Sequence, residues 1–239
     1  MNTLPRIVHR GSLLRGGFTL IELLVTIGVI AVLAGMVFPS ISKMRRSADV
    51  SQCQSNLRQV HMLWLTDVQD NNFEIPPAFN SLGYAVAGVP SNTGWLDNKW
   101  NQLTNWKTTS SVTEKVFGCP SQRKKRHMAS NARTYSMNSL LANTYWNGAN
   151  RLPPINYQKF SHPSKSVIFS DGAYDGSPYN AAVNGGNKMP EAVHDGSANL
   201  VFLDGHIERM KLADIPLAPA SLESAATLNT PASIFWLGR

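Results

Sequence analysis

Between Phe18 and Phe38 the chain reads FTLIELLVTIGVIAVLAGMVF, 21 residues with one charge among them, at Glu22. At about 1.5 Å of rise per residue, a helix of that length covers roughly 31 Å, enough to cross a bilayer core. No second run of this length and composition occurs in the sequence. The segment therefore predicts one membrane anchor. Glu22 falls about one turn into that helix, where a carboxylate costs on the order of 2.5 to 3.5 kcal/mol even on a lenient insertion scale. A charge so placed needs a partner.

A secretory signal peptide carries its small-residue cleavage site after the apolar core. Here the small pair Gly16-Gly17 comes before the core, behind a basic leader containing Arg6, Arg10 and Arg15. An uncleaved signal anchor is the plain alternative. A cut between Gly17 and Phe18 would instead create an α-amine at Phe18 within reach of Glu22, in the same subunit or a neighbour, and the two buried charges would offset each other. At these residues the chain resembles the type IV prepilin and type II secretion pseudopilin family, whose signature is a Gly, a cut, an aromatic residue and a Glu at the fifth mature place. Gly17, Phe18 and Glu22 match it position for position. The resemblance implies that a membrane aspartyl peptidase removes the leader and methylates the new terminus, and that Glu22 neutralises the amine when subunits pack. It also implies a helix kink at Pro39, where the family commonly carries a proline.

Removal of residues 1–17 would leave 222 residues and lower the formal net charge from +7 to about +4. That weak basic bias does not by itself call for nucleic acid. Basic residues flanking a first membrane helix stay cytoplasmic, so the domain after Phe38 is expected outside the cytoplasm. Cys53 and Cys119 would then meet an oxidising compartment. A disulfide between them is allowed, closing a loop of about 65 residues worth up to a few kcal/mol; two small buried thiols acting as hydrophobes is the other reading.

After Pro39 the pattern becomes amphipathic. Val50, Cys53, Leu57, Val60, Trp64 and Val68 recur at steps of three and four, which predicts a continuing helix with one buried stripe. It should end near Asp70-Asn71-Asn72, before Pro76-Pro77. Residues 73 to about 160 read as long loops with short elements, including Thr134 to Leu141 and a turn or short helix around Trp95 to Trp106. Ser166 to Asp171 (SVIFSD) reads as a strand. Asn199 to Lys211 reads as a hairpin, with Asp204-Gly205 forming a two-residue type I′ turn. Phe235-Trp236-Leu237 is expected to dock onto the body.

His194 precedes Asp204-Gly205 by nine intervening residues in VHDGSANLVFLDGH. This resembles the C-terminal H-X9-DG motif of a pseudopilin-like group of planctomycete and verrucomicrobial type, and CQSNLRQVHMLW, FGCPSQ, YSMN and HPSKSVIFSD resemble further blocks of it. Two readings of the motif stand. In the structural one, His194 bonds hairpin backbone groups while Asp204-Gly205 makes the turn. In the other, a metal draws on His194, Asp195, Asp204, His206, Asp171 and Asp175; the structural reading is preferred, with no metal and no cofactor. Arg123 to His127 could meet phosphates or acidic glycans, or form a solvated loop. Trp95, Trp100 and Trp106 could stack on sugars or plug a loop-rich core.

No G-x-S-x-G, H-E-x-x-H or P-loop pattern is present, and no enzyme is expected. The expected class is α+β: a long N-terminal hydrophobic and amphipathic helix, pilin-like, followed by a loop-rich domain with a small antiparallel sheet. The expected divisions are a leader at 1–17, a membrane or filament-core helix at 18–39, its amphipathic continuation at 40–72 and a periplasmic domain at 73–239. The function the resemblance implies is a filament subunit, a type II secretion pseudopilin of the inner membrane. Its partners would be copies of itself or other pseudopilins, the prepilin peptidase, the assembly platform and the membrane, with nucleic acid not expected. The alternative is a membrane-tethered periplasmic protein that binds glycan or DNA and uses the same processing route.

Overall fold

The structure is a computed structural model that describes residues 18–76, 78, 95–96, 99, 116–127, 134–138, 140–141, 146–147, 150–151, 155–172, 182–183, 189–217 and 230–238, with the backbone alone at 39–40, 146–147, 150–151 and 182–183. The chain divides into two compact units, Met1–Arg45 and Arg46–Arg239. Helix α1, Leu20–Asp70, supplies the described elements of the first unit and opens the second. In the first unit its large apolar side chains, from Leu20 through Phe38, are exposed, and it is long and apolar enough to cross a membrane.

In the second unit α1 has the stripe that its spacing predicts. Cys53, Leu57, Val60, Trp64 and Val68 are fully buried, one side chain per turn on one face. The helix stops where expected. Asn72 and Phe73 take positive φ, and the Phe73 amide reaches back to the Val68 carbonyl at 2.8 Å, satisfying one of the last open carbonyls.

The strands are β1 Tyr135–Asn138, β2 Trp146–Asn147, β3 Asn150–Arg151, β4 Val167–Asp171, β5 Ala182–Val183, β6 Ser197–Phe202 and β7 Ile207–Lys211. One sheet runs β5-β1-β4-β6-β7, and β2 pairs with β3 separately. Within the larger sheet β1, β4, β6 and β7 are antiparallel, and β5 joins β1 in parallel. The class is α+β, as expected.

Both faces of β6 are covered. Val201, and Leu203 just beyond the strand, join the cluster built on the α1 stripe, whereas Ala198, Leu200 and Phe202 join a second cluster containing Phe235, Trp236 and Leu237. Two-sided burial accounts for the unbroken LVFL. Between Val167 and Phe169 the register of β4 against β6 shifts, and the bulge lets the successive residues Ile168 and Phe169 both enter the α1-side cluster.

Helix α2 is Pro120–Lys125, and the second cluster is closed by α3, Pro231–Leu237. Thr230 and Ser233 form a capping box at the start of α3. Phe235 meets Phe202 edge-on at 5.9 Å, and Trp236 Nε1 donates to the Pro216 carbonyl at 2.6 Å. The expected docking of Phe235-Trp236-Leu237 is present.

Candidate functional site

The N-terminal segment begins, in the described residues, at an exposed Phe18; Gly17 and the leader lie outside them. Glu22 does not stand free. Its Oε2 accepts from the Thr19 amide at 2.9 Å and the Thr19 hydroxyl at 2.8 Å, and Thr19 Oγ1 accepts from the Glu22 amide at 3.3 Å. This reciprocal cap fills orphan donors at the first turn of α1. The T-x-x-E spacing of Thr19 and Glu22 is its local signature. Pro39 lies within α1.

In the second unit the chemistry-bearing residues gather around a disulfide. Cys53 of α1 and Cys119, the residue before α2, are bonded, with Cα atoms 4.9 Å apart. Three hydrogen bonds hold this junction: Tyr135 Oη donates to the Cys53 carbonyl at 3.2 Å, Asn56 Nδ2 to the Gly118 carbonyl at 3.1 Å, and the Cys119 amide to Thr134 Oγ1. His194 Nε2 lies 3.4 Å from Cys119 Sγ and 3.4 Å from Asp171 Oδ2. All four side chains are buried.

The expected role of the His194 ring is thereby corrected: it turns to the disulfide and Asp171, not to hairpin backbone. The backbone of His194 does pair, exchanging bonds of 3.0 and 3.1 Å with Ser197. Burial, followed by the nearby Arg209, lowers the pKa of His194. Burial raises Asp171 to about 7, against bonds from Asn199 that lower it. Both shifts favour neutral forms.

The turn chemistry is also corrected. Asp195 and Gly196 both have positive φ, so the two-residue turn with I′-type φ angles joins His194 to Ser197. At Asp204-Gly205 only Gly205 has positive φ, and Phe202 pairs with His206 around the three-residue loop Leu203-Asp204-Gly205. That is a type I turn followed by a left-handed glycine. The two Asp-Gly pairs look alike locally; strand pairing sets the loop length.

His61 clasps this second turn. Its Nε2 donates to the Leu203 carbonyl at 3.1 Å, beside a 3.0 Å bond from Tyr157 Oη. The one local signal for His61 is its place on the α1 face between Leu57 and Trp64, which marks it as inward-facing but names no partner.

Of the proposed metal ligands, Asp171 meets His194 while Asp204 Oδ1 meets His206 Nδ1 at 2.6 Å. Among the described residues no three of that proposed set converge; the donors that do, within 4.8 Å, are Cys53, Cys119 and His194. Asp175 is outside the described residues. The basic stretch is largely engaged: Lys124 pairs with Asp49 at 2.8 Å, and Arg126 with Glu191 at 2.8 Å. Trp95 is buried and donates to Asp67 at 2.7 Å, which is the core-plugging role; Trp100 and Trp106 lie outside the described residues.

Residues 14–38 match the prokaryotic N-terminal methylation motif. No curated protein and no solved structure matches the chain. The motif and the long apolar helix fit a membrane-anchored, single-pass protein of the pilin-like kind, processed by a prepilin peptidase for assembly into pilus-like polymers.

Proposed function

We propose that this chain is a non-catalytic pseudopilin of a type II secretion system, anchored in the inner membrane with its C-terminal domain in the periplasm. Cleavage between Gly17 and Phe18 frees an amine, and the helix then exchanges lipid contacts for contacts with neighbouring subunits and the assembly platform. The observation that carries this reading is the methylation motif at residues 14–38 leading into an exposed apolar helix with one carboxylate. In lipid, apolar surface supplies little specificity between helices, so the pairing of an amine with Glu22 sets the axial position of each subunit. Internal pairing of Lys124 and Arg126 speaks against an open basic surface for DNA.

Mass spectrometry of the mature N-terminus, combined with electron microscopy of filaments, tests the proposal. The expected mature chain begins with N-methylated Phe18. Glu22→Ala should be cleaved normally and fail to assemble; filaments at wild-type abundance from that variant would sink the pairing argument.

A further inference from the structure

We propose that the dithiol form of this chain binds a zinc-class divalent cation on Cys53 Sγ, Cys119 Sγ and His194 Nε2. The three donors come from α1, the entry to α2 and the turn before β6, and they already lie within 4.8 Å of one another. All three residues are buried. Two thiolates and an imidazole are the donor set that borderline-soft, tetrahedral cations select. A second observation points to the same place: Asp171 borders the same His194 nitrogen, and its buried Oδ1 has no hydrogen-bond partner. Asp171 lies outside the 4.8 Å set, so it borders the site and is not one of its placed donors.

In the oxidised chain the sulfur electrons are committed to the S–S bond. An external dithiol delivers two electrons and two protons to Cys53–Cys119, giving two thiols and leaving itself a disulfide. The cation then displaces the two thiol protons. Oxidation by a disulfide donor reverses the step and releases the metal. Newly made chains, whose cysteines are still thiols, pass through the same state. Metal and disulfide are thus alternative cross-links between the same two elements.

The test uses full-length chain in detergent micelles, oxidised or reduced with a phosphine, and zinc or cobalt(II) as the probe. The expected result is one metal per reduced chain and none per oxidised chain, a thiolate-to-cobalt charge-transfer band, and zinc protection of both thiols against alkylation. His194→Gln should weaken zinc binding by more than roughly 100-fold, beyond the cost of losing an outer partner. Where that variant does not fold, thiol protection in the reduced wild-type chain decides. Equal metal content in the two redox forms, unprotected thiols, or wild-type affinity in a folded His194→Gln variant would each overturn the site.

Discussion

The imidazole of His61 occupies the space that a side chain on Gly205 would need: a Cβ there would stand 2.9 Å from Cε1 and 3.0 Å from Nδ1. The helix and the hairpin meet across that glycine, which also carries a φ of +89°. Gly196 offers a control, with φ +80° and nothing within 4 Å of an added Cβ. Gly196→Ala should cost about 1 to 2 kcal/mol for the left-handed backbone alone. Gly205→Ala should cost more, and the excess should shrink in a His61→Ala background. Thermal unfolding of the four variants measures both gaps; equal costs for the two glycines would remove the steric role of His61.

The Asp171 carboxyl should shape the pH dependence of stability. It ionises near its ordinary 3.8 when unfolded and holds its proton to about 7 when folded, so the folded state binds more protons between those values. Its contribution is full below about pH 3.8 and is lost as pH rises to about 7. His194 and His61 run the other way, because burial lowers both below 6.5; their contribution is full above 6.5 and lost on acidification. Asp171→Asn should therefore gain stability relative to wild type as pH climbs from about 4 to 7, by on the order of 4 kcal/mol at most. Parallel melting profiles for the two proteins would contradict this.

The disulfide closes a sequence separation of 66, for which the chain-entropy model gives about 4 kcal/mol. The Cys53→Ala/Cys119→Ala pair should lower stability by roughly 2 to 5 kcal/mol in denaturant titrations of the oxidised proteins. Wild-type stability in the double variant would mean that the hydrogen bonds around the junction suffice without it.

Thr19→Val separates two tasks of Glu22. It removes the hydroxyl that bonds the carboxylate and the Glu22 amide while leaving the charge in place. Helix start stability should fall by about 1 kcal/mol, seen as faster hydrogen exchange at the first-turn amides in micelles. Filament assembly should persist, unlike in Glu22→Ala. Loss of assembly in both variants would tie polymerisation to the cap itself.

Local patterns carried far in this chain. The apolar run, the α1 stripe from Cys53 to Val68, the SVIFSD strand and the C-terminal aromatic anchor are all periodic or compositional, and each element formed where its own residues demanded. A helix or strand needs only neighbours in sequence to declare its buried face. Long-range partnership has no such local mark. His194 lies 75 positions from Cys119, and His61 lies 142 from Leu203; these contacts exist only because sheet and helix pack face to face. The same holds for the two Asp-Gly pairs, whose dipeptides are identical while the pairing of β6 with its neighbours gives one a two-residue and the other a three-residue loop. The sequence by itself determined an anchored chain with a processing motif and its main elements. The tertiary structure alone decided what surrounds the disulfide, because burial brings donors together that no spacing along the chain connects.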